Sequence, residues 1–394
     1  MRKRQYNEFM KGVNLKQEKT IVERSNTLDA LKGTLIILVV LGHTYNRFTT
    51  NFVYLFHVGL FFVLSGYCFS QKYSDSVGSL RELFKKRIQS LWIPYVAYNF
   101  IFLLLQNIWL KVGFLTSDES YFAFRPLLND GFCLPITIAG AGKAIIKSFF
   151  FMNSRPFAGG LWFLGGLFYV VFLYAGIQFI MRKLKIEKLH IVLSIIFLIV
   201  GWIIVRLNLI EKIPKLKYCA IILISEILFC IGTYIKEYIK IPEFPPPVYY
   251  AGAVLFFVIL CVLSMFGSIS IASAHITNPL FYITSILSGG GQLLCTIKIF
   301  QLMNVKAVSN FFAYVGRKTI PILALHPLCY KIITVVQWKI YGGDKIMLSM
   351  YPVWKNTVLW TIAYCFVSVL IPLIISSLLS KNRVFKFFLN ANVE

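Results

Sequence analysis

Apolar blocks of about 20 residues recur along the chain, and they limit its fold more than any other feature. A helix of that length rises about 30 Å, which matches the apolar core of a bilayer. The chain is 58% hydrophobic and only 14% charged, whereas about a quarter of the residues in a soluble domain are charged. The sequence therefore predicts an all-α fold, a polytopic membrane bundle of about ten transmembrane helices.

The predicted spans are separated by short polar connections. Segment 144–153 is also apolar, but it is too short to cross a bilayer, and we interpret it as a re-entrant or interfacial piece. The predicted spans are 30–48, 52–70, 91–110, 160–181, 189–207, 218–235, 248–268, 278–300, 319–337 and 356–378.

The formal net charge of +24 would suggest a nucleic-acid partner if the protein were soluble. Here the Lys and Arg residues cluster at the ends of apolar blocks, as in membrane proteins whose cytoplasmic loops are enriched in positive charge. This bias predicts that both termini lie in the cytoplasm (N-in/C-in) and that no nucleic acid is bound. Loop 208–217, with Lys212, Lys215 and Lys217, runs against the bias.

These features divide the chain into a basic cytoplasmic N-terminal tail (1–27), a transmembrane domain (28–380) and a cytoplasmic C-terminal tail (381–394). The segment 1–27 has no apolar core, so we expect no cleaved signal peptide. All eight cysteines are isolated, without a CxxC pair. The sequence therefore predicts neither a zinc site nor a disulfide framework, and we expect no metal.

Ionisable side chains within membrane spans are costly unless they face a protein interior, so they are the first candidates for function. Glu226 lies in the middle of the sixth predicted span. His190 begins a helix on the cytoplasmic side, and we expect only a structural role for it. The other histidines lie at membrane level or at its outer edge: His43, His57, His275 and His326.

The first predicted span carries a basic residue at its cytoplasmic edge and an imidazole in its outer third. Lys32 and His43 are 11 residues apart, which is three helical turns plus roughly 20°, so both lie on one face about 16.5 Å apart. Arg47, one turn further, would extend the same polar stripe. The spacing fits a polar passage, and it equally fits a Lys32 that reaches the interface and a His43 that only packs.

Polar groups on the following spans could face the same passage. His57 lies near the outer end of span two, close to His43, and Ser65, Gly66 and Tyr67 follow on that helix, where the small residues favour close helix packing. The basic triplet Lys85-Lys86-Arg87 precedes span three. Such a triplet either sets the topology or binds the phosphates of an anionic ligand.

Several short motifs share their order with a known family. They are Lys32-x10-His43; the segment from His57 to Tyr67; Lys86-Arg87 with Ile93-Pro94-Tyr95; Leu161-Trp162-Phe163-Leu164; and Tyr314-Val315-Gly316-Arg317 with Ala324-Leu325-His326. Together they resemble the acyltransferase family 3 membrane proteins, particularly the fucose 4-O-acetylase-like O-acetyltransferases, which Asn278-Pro279-Leu280-Phe281 also resembles. The resemblance covers essentially the whole chain, from about residue 25 to residue 380.

The resemblance implies ten helices, acyl-coenzyme A drawn from the cytoplasm, and acetyl transfer to a hydroxyl of an extracytoplasmic sugar. His43 matches the essential histidine of the family and Lys32 its basic partner. Arg87 matches the first arginine of a cytoplasmic arginine pair, and Ser90 stands where many members have the second. Lys85 and Lys86 are candidates to replace that missing arginine.

We therefore expect a membrane-bound O-acetyltransferase of the cell membrane. It would take acetyl from acetyl-CoA and pass it to a cell-surface polysaccharide or glycolipid. His43, with Lys32 as its catalytic partner, would act as a general base or carry the acetyl group itself. The expected cofactor-binding residues are Lys85, Lys86 and Arg87; the expected substrate-binding residues are His57, Ser65, Tyr67, Trp162 and His326.

Other functions fit the same residues. A transporter or flippase for a small polar solute would also need intramembrane His and Lys side chains. The same scaffold could transfer succinyl or another acyl group. A non-catalytic partner in polysaccharide assembly would tolerate loss of His43. Binding of labelled acetyl-CoA separates the enzyme from the transporter.

Overall fold

The computed structural model describes residues 26–124, 131–152, 156–239, 243–303 and 305–390, and this part of the chain is mostly helical, with almost no sheet. The first half contains α1 (26–42), α2 (Arg47–Val53), α3 (His57–Tyr67), α4 (Val77–Arg87), α5 (Ile93–Val112), α6 (Tyr121–Phe124), α7 (Ile138–Phe149) and α8 (Trp162–Lys183).

The second half continues the same pattern and adds one two-stranded hairpin. It contains α9 (His190–Arg206), α10 (Leu209–Lys212), α11 (Leu216–Tyr238), α12 (Pro246–Phe266), β1 (Ile269–Ser270), β2 (His275–Ile276), α13 (Pro279–Leu302), α14 (Lys306–Gly316), α15 (Thr319–Tyr341), α16 (Val358–Leu379) and α17 (Arg383–Leu389).

Nine helical stretches among the described residues are long and apolar enough to cross a membrane. Each of them overlaps one predicted span from the second to the tenth, and α1 overlaps the first. The all-α polytopic bundle is thus confirmed. If α1 crosses as well, the crossings among the described residues number ten, and residues 26 and 390 lie on the same side; that this side is the cytoplasm stays a prediction.

The third span belongs to a helix much longer than predicted. Val77–Val112 forms one helical stretch of 36 residues, in which the π-helical turn Ile88–Trp92 joins α4 to α5. If straight it would measure about 54 Å, well beyond the apolar thickness of a bilayer. The predicted span 91–110 covers α5, whereas α4 carries polar and basic residues. The sequence therefore predicted the apolar half of this stretch, α5, correctly, but it did not predict that α4 joins it as one helix.

The apolar segment after α5 folds back along that helix. The Asn107 side chain is hydrogen-bonded to the backbone of Ile136 (Ile136 N to Oδ1, 2.9 Å), and Trp92 Nε1 donates to Phe149 O at 2.8 Å. Helix α7 therefore runs antiparallel to α5 from the level of Asn107 to that of Trp92. This course agrees with the re-entrant interpretation of segment 144–153.

Glycines allow two pairs of helices to touch backbone to backbone. A Cβ on Gly316 of α14 would lie 1.8 Å from Asp29 O, and one on Gly33 of α1 would lie 1.9 Å from Phe312 O. On α3, a Cβ on Gly66 would lie 2.0 Å from Phe229 O of α11. The close packing predicted for the Ser65–Gly66 stretch is confirmed. The first crossing brings α1 against α14, and the second brings α3 against α11.

Candidate active site

One cavity of about 590 Å³ lies inside the bundle and reaches from the start of α1 and the end of α4 to the β-hairpin between α12 and α13. Its volume is within the range typical of ligand sites. Basic side chains lie at one end, imidazoles lie further along, and aromatic side chains lie at the other end. The lining residues that the argument uses are Asp29, Lys32, His43, Tyr45, Tyr54, His57, Ser65, Arg87, Ser90, Trp162, Ser270, Arg317, His326 and Tyr351.

The basic end of the cavity is built where α1 crosses α14. Lys32 Nζ lies 3.3 Å from Asp29 Oδ1, and Arg317 lies 3.7 Å from Asp29 Oδ2. The Gly33–Gly316 contact sets this distance, since any side chain at either position would push the two helices apart. Asp29 thus holds two cations at the wall of the cavity.

Arg87, at the end of α4, adds a third cation to this wall. Its Nε is buried and has no hydrogen-bond partner among the described residues. A guanidinium N–H without a partner is available to an anionic ligand. This end of the cavity thus has three cations, Lys32, Arg87 and Arg317, and one carboxylate, that of Asp29, so it favours a ligand that carries negative charge.

The other two members of the basic triplet point elsewhere. Lys85 and Lys86 are exposed and are not among the lining residues in the described chain. Lys86 instead lies 2.8 Å from Glu82 and donates to Tyr73 at 2.8 Å. Ser90, which stands in place of the second arginine of the family, does line the cavity. Arg317, which sequence reasoning placed only in a motif, is the cation beside Lys32.

His43 lies immediately after the last residue of α1. Its backbone N donates to Val39 O at 3.1 Å, so the helical course continues up to this residue. The Tyr330 hydroxyl donates to Val40 O, and Asn356 Nδ2 donates to Tyr45 O at 2.7 Å. These contacts from α15 and from the loop before α16 fix the end of α1 and, with it, the imidazole.

The break after α1 corrects one prediction. The sequence interpretation placed Arg47 one turn above His43 on a continuous stripe. Helix α1 ends at residue 42, however, and Arg47 starts the separate helix α2 with an exposed side chain. The stripe therefore ends at His43. The predicted span 30–48 overlooked the turn that residues 43–46 make.

His43 and His326 form a hydrogen-bonded pair. His43 Nδ1 lies 3.0 Å from His326 Nε2. The two rings are 10° from parallel with centroids 5.1 Å apart, so the nitrogens meet edge to edge in nearly one plane. His326 Nδ1 lies 3.0 Å from Ile322 O, which can only accept, so Nδ1 donates. In the neutral pair, His326 Nε2 then accepts from His43 Nδ1, and His43 Nε2 keeps a lone pair. This is the state that a general base needs.

His57 presents a similar ring from α3. Its Nδ1 lies 2.7 Å from Val53 O and therefore donates, which leaves Nε2 as an acceptor. The ring of Tyr54 contacts both imidazoles, with centroid distances of 6.1 Å to His43 and 4.8 Å to His57. The three predicted histidines His43, His57 and His326 thus border the same cavity.

The remaining predicted substrate residues divide in two. Ser65 and Trp162 line the cavity, with the Ser65 hydroxyl donating to Phe61 O at 2.7 Å. Tyr67, at the end of α3, is not among the lining residues in the described part of the chain. At the end of the cavity away from the basic wall, Tyr45 and Tyr351 supply the aromatic surface instead.

A buried lysine that the sequence interpretation did not single out supports this aromatic end of the cavity. Lys331 of α15 is fully buried and donates to Leu348 O at 2.9 Å and to Met350 O at 2.8 Å. It thereby holds the loop that carries Tyr351. The sequence did carry a signal for Lys331, because an ionisable residue within a predicted span is unusual. By that criterion Lys331 belonged with the intramembrane histidines and Glu226 as a candidate for function.

His190, Glu226 and His275 do not line the cavity in the described residues. His190 lies 3.0 Å from Glu226 Oε1 and 2.6 Å from Gln178 Oε1, so these buried groups join α8, α9 and α11, while Glu226 Oε2 has no partner among the described residues. This agrees with the structural role expected for His190. His275 is exposed on the hairpin, and its Nε2 lies 3.1 Å from the Ser268 hydroxyl.

The arrangement of basic groups below a hydrogen-bonded histidine pair suits group transfer from an anionic donor. The sequence matches the family model described as the acyltransferase domain of the acyltransferase 3 type, over residues 25–377. The chain belongs to this family. It is a multi-pass membrane acyltransferase. Comparison with curated proteins and with solved structures finds no match.

Proposed function

We propose that this acyltransferase moves acetyl from cytoplasmic acetyl-CoA to a hydroxyl of a cell-surface polysaccharide or glycolipid sugar on the outer side of the cell membrane. The observation that carries the proposal is the shared cavity, which joins Lys32, Arg87 and Arg317 at one end to His43 further along. Lys32 and His43, 11 residues apart, are separated by about 16.5 Å along the helix. A pantetheine arm is of this order of length.

The basic wall fits the phosphates of coenzyme A. Lys32 and Arg317 present positive charge around Asp29, and Arg87 brings a buried Nε without a partner among the described residues. Phosphate oxygens pair well with such guanidinium donors. Asp29 keeps the two neighbouring cations in place without neutralising all three. The acyl end of the donor would then extend toward the imidazoles.

His43 would act as the general base. Its Nε2 takes the proton of the acceptor hydroxyl as that oxygen attacks the thioester carbonyl. A new C–O ester bond forms, the C–S bond breaks, and the imidazolium returns the proton to the departing thiolate. Electrons and protons balance without a further reactant, and a positioned base of this kind contributes about 10²- to 10⁴-fold.

His326 would hold His43 in the productive tautomer. Because His326 Nε2 accepts from His43 Nδ1, this hydrogen bond stabilises the positive charge that forms on His43, and Ile322 O, which accepts from His326 Nδ1, supports it in turn. Direct transfer needs only this one free nitrogen. We favour it over an acetyl-histidine intermediate, in which the same Nε2 would become acylated.

The proposal is tested by the O-acetyl content of the cell surface. Deletion of the gene should remove O-acetyl groups from one polysaccharide or glycolipid, and expression of the wild-type chain should restore them. The His43→Ala variant, expressed at the same level, should not. Unchanged O-acetylation after deletion, or loss of a succinyl group in its place, would overturn the proposed donor.

A further inference from the structure

His57 holds a buried nitrogen that the reaction described above does not use. The residue is 2% exposed, and its Nε2 has no hydrogen-bond partner among the described residues. Since Nδ1 donates to Val53 O, Nε2 is an acceptor with a free lone pair. A buried acceptor without a donor is destabilising. His57 lines the cavity, so a ligand with an O–H or N–H group is the natural partner.

His43 presents the same kind of atom nearby. Its Nε2 is also left with a lone pair, because its Nδ1 is engaged by His326. Tyr54 contacts both imidazole rings, so the two histidines flank one tyrosine at the cavity wall. The site therefore offers two neighbouring acceptors that a single ligand with two donors would satisfy.

We infer that the acceptor is a diol with adjacent hydroxyls and that His57 is the residue that selects it. This inference rests on the proposed O-acetyl transfer. One hydroxyl loses its proton to His43 Nε2 and becomes the ester oxygen. The neighbouring hydroxyl keeps its proton and donates it in a hydrogen bond to His57 Nε2. His57 acts here as a specificity-determining residue, and His43 remains the base because it has a second imidazole behind it.

The donor offers the other source of such a hydrogen bond, through the amide N–H groups of pantetheine. These amides lie between the phosphates and the thioester, so they should sit on the cytoplasmic side of His43. His57 instead begins α3 beside Tyr54, while Cys68, just past the other end of α3, lines the cavity too. The position of His57 thus favours the acceptor.

Two alcohols with the same carbon ring test the inference. The purified full-length protein in lipid nanodiscs would be given acetyl-CoA with cis-1,2-cyclohexanediol or with cyclohexanol. The wild-type protein should acetylate the diol with a kcat/KM about tenfold higher, as one extra hydrogen bond provides. In His57→Phe, which keeps a flat ring, this preference should disappear, and the KM for acetyl-CoA should stay unchanged.

Each other result contradicts the inference. Equal transfer to the two alcohols by the wild-type protein, or transfer to neither, overturns it without any variant. A preference that persists in His57→Phe also overturns it, and a raised KM for acetyl-CoA in that variant would assign the nitrogen to the donor. Failure of the proposed function looks different, because the protein would then neither bind nor consume acetyl-CoA.

Discussion

At the scale of single residues, the tautomer of His43 follows from one backbone carbonyl. Ile322 O accepts from His326 Nδ1, and His326 Nε2 accepts from His43 Nδ1. The free lone pair is therefore on His43 Nε2. The sequence predicted that His43, His57 and His326 are functional, but it left open which of the other two contacts His43. His43 and His326 are 283 positions apart, and no local spacing reports a contact between α1 and α15.

Replacing His326 should test this chain of hydrogen bonds. In His326→Phe, His43 Nδ1 loses its acceptor, and an unpaired buried donor costs about 1–3 kcal/mol. We expect kcat to fall about 5- to 150-fold with little change in the KM for acetyl-CoA. His275→Phe is the control, since His275 is exposed on the hairpin. An unchanged kcat in His326→Phe would show that the pair has no role in transfer.

The basic triplet offers a matched pair of variants. Arg87 lines the cavity, whereas Lys85, two residues earlier, is exposed. A hydrogen bond to a charged group contributes about 1.5–3 kcal/mol, so Arg87→Ala should raise the KM for acetyl-CoA about 10- to 150-fold. Lys85→Ala should leave it unchanged. Equal effects of the two substitutions would mean that charge near the membrane, and not the cavity wall, attracts the donor.

At the scale of helices, the position of Lys32 depends on how closely α1 and α14 approach. The sequence showed Gly33 and Gly316 without indicating that each faces the backbone of the other helix. Apolar blocks reveal their own length because hydrophobicity is a local property. Packing between segments that are distant in the sequence decides which helices become neighbours. The sequence alone therefore did not show which helices α14 and α7 would contact.

A methyl group at this crossing should separate the helices. In Gly316→Ala the new Cβ would fall 1.8 Å from Asp29 O, and overpacking of this kind costs about 1–3 kcal/mol. We expect a lower melting temperature and weaker donor binding. Gly176→Ala, in α8, is the control because a Cβ there meets nothing within 4 Å. Equal melting temperatures of the two variants would contradict the backbone contact.

At the scale of the whole molecule, the account needs one end of the cavity to face the cytoplasm and the other to face outward. The basic wall and α17 belong to the first side, and the β1–β2 hairpin belongs to the second. Charge distribution in the sequence predicted this orientation, with loop 208–217 as the exception.

Labelling of intact cells decides the orientation. Ser273 and Lys381 are both exposed, one on the hairpin and one after α16. A membrane-impermeant maleimide should label Ser273→Cys above the level of the unmodified protein. Lys381→Cys should be labelled only after permeabilisation. The opposite pattern would invert the bundle and place the basic wall outside, away from cytoplasmic coenzyme A.

The most direct test of the account separates donor binding from transfer at His43. His43→Ala should bind acetyl-CoA with the same Kd as the wild-type protein, because Lys32, Arg87 and Arg317 remain in place. Its rate of acetyl transfer should fall about 10²- to 10⁴-fold, the contribution of a general base. Transfer at the wild-type rate by a properly folded His43→Ala protein would contradict the claim that this imidazole performs the reaction.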